Sequence, residues 1–171
     1  FRSVMHDELG LDYTTDNPTS LQLFTEALEN YLASSAQVMP CLERLFEQDP
    51  TMPMALLFRA YLLKLAADPG FRAAIQQCFD SVSARPDLND REQRYLKALS
   101  LWQADQMAEA AAVFDDIVLN YPKDMLALRM AHYLHFYGNG GRQMMESLQV
   151  ALQHHEANDR YYGFLKGMHS F

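Results

Sequence analysis

The sequence predicts an all-α chain folded as a right-handed solenoid of stacked helical hairpins, and three observations carry that expectation. Pro50, Pro86 and Pro122 stand 36 residues apart, each closing an apolar-periodic segment: Glu47-Gln-Asp-Pro50, Ser83-Ala-Arg-Pro86 and Leu119-Asn-Tyr-Pro122. A fixed period of this length is the signature of a repeat architecture. Eight residues before each proline, and before Asn158 where the next step falls, stand Leu42, Cys78, Phe114 and Val150. Stacked repeats bury such an apolar column. Within a unit the period is that of a helix: Ala110, Val113, Phe114, Ile117 and Val118 fall at i, i+3, i+4, i+7 and i+8, while no segment alternates between turn signals as a half-buried strand would.

The repeat divides the chain into an N-terminal arm, 1–14, and a helical-repeat domain, 15–171. The domain holds units 15–50, 51–86, 87–122 and 123–158, with a partial fifth over 159–171. His6, with Asp7 and Glu8 beside it, is expected in a mobile terminus. The first hairpin reads as Asn17 to Ser34 with Met39 to Gln48, and Pro18 and Pro40 fall near first turns, where a missing amide does no harm. The second reads as Pro53 to Ala67 with Phe71 to Ala84, interrupted by Asp68-Pro-Gly70. The third opens on Asn89-Asp-Arg-Glu92, a polar residue followed three later by Glu, able to bond reciprocally to the free amides of a first turn. Tyr95, Leu96, Leu99 and Trp102 carry its apolar face, and Asp105-Gln-Met107 turns into the second helix. The fourth, Met125 to Tyr137, is apolar on nearly every side and so reads as a buried helix, ended by Gly138-Asn-Gly-Gly141.

Composition narrows the function classes. Apolar residues are 49% and charged residues 21% of 171, the usage of a globular chain. Lys and Arg number 14 against 22 Asp and Glu, a net charge of -8. That balance lacks the basic footprint that a nucleic acid or an anionic membrane requires. The longest apolar run, Met52 to Phe58, is far too short to cross a bilayer. Two cysteines, Cys41 and Cys78, lie inside apolar helical patterns with no Lys or His neighbour, and read as core residues of a protein in the reducing cytoplasm.

The third unit resembles the tetratricopeptide repeat: Asp105-Gln-Met-Ala-Glu-Ala110, then Phe114, Ile117 and Pro122, match its spacing. Its first helix departs from the pattern, with Arg94 and Lys97 where an aromatic residue and Leu are usual. A longer resemblance runs through Tyr13-Thr-Thr-Asp-Asn-Pro-Thr-Ser-Leu-Gln-Leu-Phe24, Met125-Leu-Ala-Leu-Arg-Met-Ala-His-Tyr-Leu-His-Phe-Tyr137 and Tyr161-Tyr-Gly-Phe-Leu-Lys-Gly-Met-His-Ser-Phe171. These stretches are similar to the N-terminal portion of the tetratricopeptide repeat protein 38 family. The resemblance implies stacked helical repeats and a longer natural chain of which this is a fragment. It brings no established reaction, so no residue inherits a catalytic role. A final helix without its partner would leave Phe164, Leu165, Met168 and Phe171 exposed and favour self-association.

Two candidate sites follow from the residues. His132 and His135 lie three apart on one face of the 125–137 helix, and His169 occupies the corresponding place in the next unit. Buried imidazoles need hydrogen-bond partners or a metal. One reading is a histidine pocket, for metal or for acid–base chemistry, with Tyr133 and Tyr137 beside it and Glu146 or Arg142 as partners. The other is that the histidines and tyrosines satisfy one another inside a packed interface, since no His-Glu-x-x-His signature is present. Gly138-Asn-Gly-Gly-Arg142 lacks the Lys-Ser/Thr pair of a phosphate loop and reads as a helix–helix turn. His154 and His155 end a helix, where cations suit the dipole.

The second candidate is a groove lined by the first helices of each hairpin, 18–34, 53–67, 89–104 and 125–137. Arg59, Lys64, Arg94, Lys97 and Arg129 give these helices a basic bias within an acidic chain. The same residues read equally as the solvated faces of amphipathic helices. The functional expectation is a scaffold that binds a protein or peptide without catalysis and needs no cofactor. The alternative is an enzyme or metal-binding protein built on the histidine cluster.

Overall fold

The computed structural model describes residues 4–137. The elements are β1 (Val4–His6), β2 (Asp12–Thr14), α1 (Pro18–Leu32), α2 (Val38–Gln48), α3 (Pro53–Ala66), α4 (Arg72–Ser83), α5 (Asp90–Gln103), α6 (Met107–Asn120) and α7 (Met125–Tyr137). A 3-10 turn over Pro69–Phe71 follows α3. The described residues are thus mostly helical, and the first helices start at 18, 53, 90 and 125, close to the period set by the prolines. The chain divides after Leu99 into two compact units, with the boundary inside α5.

Local chemistry explains where each helix starts and stops. Asn17 caps α1 by accepting the Thr19 N–H at 2.9 Å, and Pro18 and Pro53 occupy the opening positions of α1 and α3. Three non-glycine residues take positive φ: Ser34 (56°), Ala67 (55°) and Asp105 (60°). They stand in the α1–α2, α3–α4 and α5–α6 turns, so the same left-handed stop recurs at alternate turns between the described helices. It also shortens the first helix: α1 ends at Leu32, where the sequence suggested Ser34.

In the first unit, 1–99, α1 packs against α2 and α3 against α4, with further contacts of α2 and β2 on α3. Met52 to Phe58, Ala60 and Tyr61 are all buried, so the first two turns of α3 are surrounded. Rings run through this core from Tyr13 to Phe24 (5.0 Å between centroids), Phe24 to Phe58 (5.6 Å) and Phe58 to Tyr31 (5.7 Å). The Tyr61 hydroxyl donates to the Tyr95 carbonyl, and burial pushes its ionisation well above the usual phenol range. In the second unit α6 packs against α7, burying Phe114, Ile117 and Val118 on one and Met130, Ala131 and Leu134 on the other. Leu42, Cys78 and Phe114 of the predicted column are buried, and Val150 lies outside the described residues.

The N-terminal arm corrects the helix-only expectation. β1 and β2 form an antiparallel pair, Val4 opposite Thr14, Met5 opposite Tyr13 and His6 opposite Asp12. His6 is therefore held, its ring bonded to Asp12 across the ladder. Asp7 folds the connection by accepting the N–H groups of Leu9 and Leu11, both at 2.9 Å, while Gly10 supplies a φ of 79°. Three residues per strand are too few for alternation to register in sequence. Burial of Leu11, Tyr13, Thr14 and Thr15 against helices far along the chain holds the arm in place.

Candidate functional sites

The first turn of α5 is the most heavily bonded polar site among the described residues of the first unit. Asn89 and Glu92 bond reciprocally as the sequence suggested: Asn89 Oδ1 accepts the Glu92 N–H at 2.8 Å, and Glu92 Oε1 accepts the Asn89 N–H at 3.0 Å. Glu92 is fully buried, and its carboxylate does more than cap. Oε1 also accepts the Thr14 hydroxyl at 2.6 Å, and Oε2 accepts the Thr14 N–H at 3.0 Å. Beside it, Arg91 lays its guanidinium 4.6 Å from the centre of the Tyr13 ring. Arg91 Nη2 and Asn89 Nδ2 both donate to the Asp12 carbonyl, at 3.0 and 3.2 Å. The Tyr13 hydroxyl donates to Asp7 at 3.1 Å. Burial raises the Asp7 carboxyl above its ordinary value, against the lowering effect of its hydrogen bonds and of Arg91.

Next to this network lies a polar cleft of about 270 Å³, lined by Thr14, Thr15, Asp16, Asp49, Thr51, Arg85 and Asp87. Its walls come from the end of β2 and from the two loops that carry Pro50 and Pro86. Residues 49 and 85 precede those prolines and 51 and 87 follow them, so positions 36 residues apart face one cleft. Thr15 donates to Asp49 at 2.7 Å, and Arg85 donates twice to Asp87, at 2.8 and 2.6 Å, and once to the Thr51 carbonyl at 2.6 Å. The prolines announced these loops, but the polar residues around them gave no sign of meeting.

In the second unit the histidines separate into two environments. His135, 6% exposed, places Nε2 at 2.7 Å from Asp115 Oδ2 on α6. That carboxylate fixes the ring and its tautomer. His132 is half-buried, and its Nε2 is enclosed without a hydrogen-bond partner among the described residues. Burial, with the Arg129 charge adding to it, lowers its proton affinity below the usual histidine value. Tyr133 stacks on Trp102, ring centres 5.8 Å apart. His169, Arg142, Glu146 and the Tyr137 side chain lie outside the described residues. So do the Gly138–Arg142 turn, His154, His155 and the apolar residues of the last helix. Among the described residues no three His, Cys, Asp or Glu side chains gather as a metal site. Asp115 was absent from the sequence reading, because it lies twenty residues before His135 on another helix.

The basic residues of the expected groove are held in different ways. Arg59 lies 6.0 Å from the Phe46 ring centre, and Arg94 donates to Asp90 at 2.8 Å one turn back on α5. Lys97 is exposed, while Lys64 and Arg129 are half-buried. Both cysteines are buried and free. Cys41 Sγ accepts from Arg44 Nη2 at 3.3 Å, a cation one turn further along α2, and burial pushes the Cys78 thiol up. No helix among the described residues is long and apolar enough to cross a membrane. No family model matches the chain, and no solved structure matches it.

Proposed function

We propose that this protein is a helical-repeat scaffold that binds a partner protein or peptide, without catalysis. One observation carries the reading. In the first unit an extended stretch of chain, β2, lies against first helices of successive hairpins, touching Phe24 of α1, packing on α3 and bonding to Glu92 of α5. The first-helix face thus accommodates extended backbone, as a binding groove must. In this reading the hairpins stack as the right-handed, tetratricopeptide-like solenoid to which the 36-residue period points, in the manner of the tetratricopeptide repeat protein 38 family that the sequence resembles. The acidic balance favours a cytoplasmic protein partner or self-association over nucleic acid or a membrane surface. Arg59, Lys64, Arg94, Lys97 and Arg129 supply the basic groups of the groove.

The test is affinity capture with the chain, followed by titration of the purified partner. Reversing Lys64 and Lys97 to Glu is expected to weaken binding several-fold and to flatten its salt dependence. Binding unchanged by the reversal overturns the groove assignment.

A second reading rests on the second unit. There, an oriented His135–Asp115 pair stands three residues from His132, whose buried Nε2 has no hydrogen-bond partner among the described residues, an arrangement suited to holding a metal or moving a proton. Elemental analysis beside the His132→Ala, His135→Ala double variant decides the metal form of that reading. Near-stoichiometric zinc, iron or manganese that disappears in the variant establishes it, and no metal in either chain removes it.

A further inference from the structure

Resting on the scaffold reading, we infer that the first turn of α5 together with Phe24 is a receptor for an extended segment carrying an aromatic residue followed by threonine. Residues 12–14 of the chain itself occupy it, and an equivalent segment of a partner protein takes their place by competition.

Three features point this way. The cap that orients Glu92 makes no use of the occupant, because Asn89 and Glu92 hold one another reciprocally. A site organised in advance loses little freedom when a segment arrives. Half of the recognition is indifferent to sequence: Asn89 and Arg91 donate to the main-chain carbonyl of Asp12, and Glu92 accepts the main-chain N–H of Thr14. Any extended segment presents those groups. The other half is specific, since the Tyr13 ring sits 4.6 Å from the Arg91 guanidinium and 5.0 Å from Phe24, and the Thr14 hydroxyl reaches Glu92 at 2.6 Å.

The occupant, by contrast, has little structure of its own. β1 and β2 pair over three residues each, and an isolated two-stranded ladder of that length does not persist in water. The hairpin therefore depends on the helices for its order. Covalent linkage raises the local concentration of the cis segment to the order of millimolar, so a partner segment enters when it binds more tightly or when the arm is cut or sequestered.

The experiment places a specific protease site between Asp16, which is exposed, and Asn17 in the full chain. After cleavage of the folded protein, a fluorescent peptide of residues 4–16 is added and its anisotropy followed. The expected result is retained helical circular dichroism and uptake of one peptide per chain. Binding should be about tenfold weaker to the Glu92→Gln chain, and likewise for a Thr14→Val peptide, as loss of a charge-assisted hydrogen bond implies. A peptide keeping only the Tyr-Thr pair on an alanine background should displace the labelled one, and the uncleaved chain should bind either peptide far more weakly. A cleaved chain that stays folded without taking up peptide overturns the proposal. So does one that unfolds and is not restored by peptide, since the hairpin is then core. Failure of the Tyr-Thr peptide to compete removes the partner claim. Failure here is distinguishable from failure of the scaffold reading, which the Lys64 and Lys97 reversal tests in the uncleaved chain.

Discussion

Glu92 in the first unit and His132 in the second are both enclosed polar groups on first helices, and they differ in how completely they are partnered. The Glu92 carboxylate accepts three hydrogen bonds, from the Thr14 N–H, the Thr14 hydroxyl and the Asn89 N–H. Among the described residues, His132 Nε2 accepts and donates none. Burial costs a polar group its water, and hydrogen bonds return most of that cost only when every donor and acceptor finds a match. The carboxylate is therefore a fixture that organises two distant parts of the chain. The imidazole carries the cost of burial without that return from the described residues. Burial alone does not separate the two groups.

The largest expected effect breaks the fixture. Glu92→Ala leaves two buried N–H groups without an acceptor, at roughly 1–3 kcal/mol each, and the Thr14 hydroxyl with only the Asp87 carbonyl at 3.5 Å, so we expect a loss of about 4 kcal/mol in urea unfolding. Amide exchange at Thr14 and Asn89 should accelerate together, because one carboxylate protects both. Protection surviving at Thr14 would place the anchor of the hairpin elsewhere. Next in size is Tyr13→Ala, which removes a ring packed between Arg91 and Phe24 and should cost about 3 kcal/mol. Its loss should also release the β1–β2 ladder, read as exposure of Met5 and Leu11 to oxidation or exchange.

The same contrast shows what the sequence could and could not disclose. The Asn89–Glu92 cap was legible because both partners lie within one helical turn and the residue types at that spacing are diagnostic. The helices were legible because their apolar periodicity runs for several turns. Thr14 and Glu92 are separated by 78 residues, and nothing in either neighbourhood announces the other. The hairpin stayed hidden for a related reason: Tyr13 is buried by α1 and α5, so its inward face is set by tertiary contact. In the second unit the His132 and His135 pair was visible as a spacing, whereas the Asp115 that distinguishes one from the other was not. The cleft was half legible, its loops fixed by Pro50 and Pro86 and its polar walls assembled only by folding.

A smaller effect separates the two histidines. Asp115→Ala removes the partner of His135 and should cost about 1–2 kcal/mol, with the His135 ring resonances shifting in NMR while those of His132 stay in place. Movement of both would show that the two rings act as one unit.

The smallest change in stability, and the sharpest test of the comparison, is His132→Leu. Leucine fills similar space without an unpartnered nitrogen, so the expected effect at pH 7.5 is between no loss and a gain of about 1 kcal/mol. The pH dependence carries more information than the value. Burial and the Arg129 charge depress the folded-state proton affinity of His132, so the folded state prefers the neutral ring more strongly than the unfolded chain does. The stability this group contributes is present above the ordinary value of 6.5 and is lost as pH falls from there through the depressed folded value. The wild-type chain should lose stability across that window, and the His132→Leu chain should lose less. If the variant is instead clearly less stable at pH 7.5 and follows the wild-type pH profile, His132 is partnered in solution. The contrast with Glu92 then fails, because both groups would be fixtures.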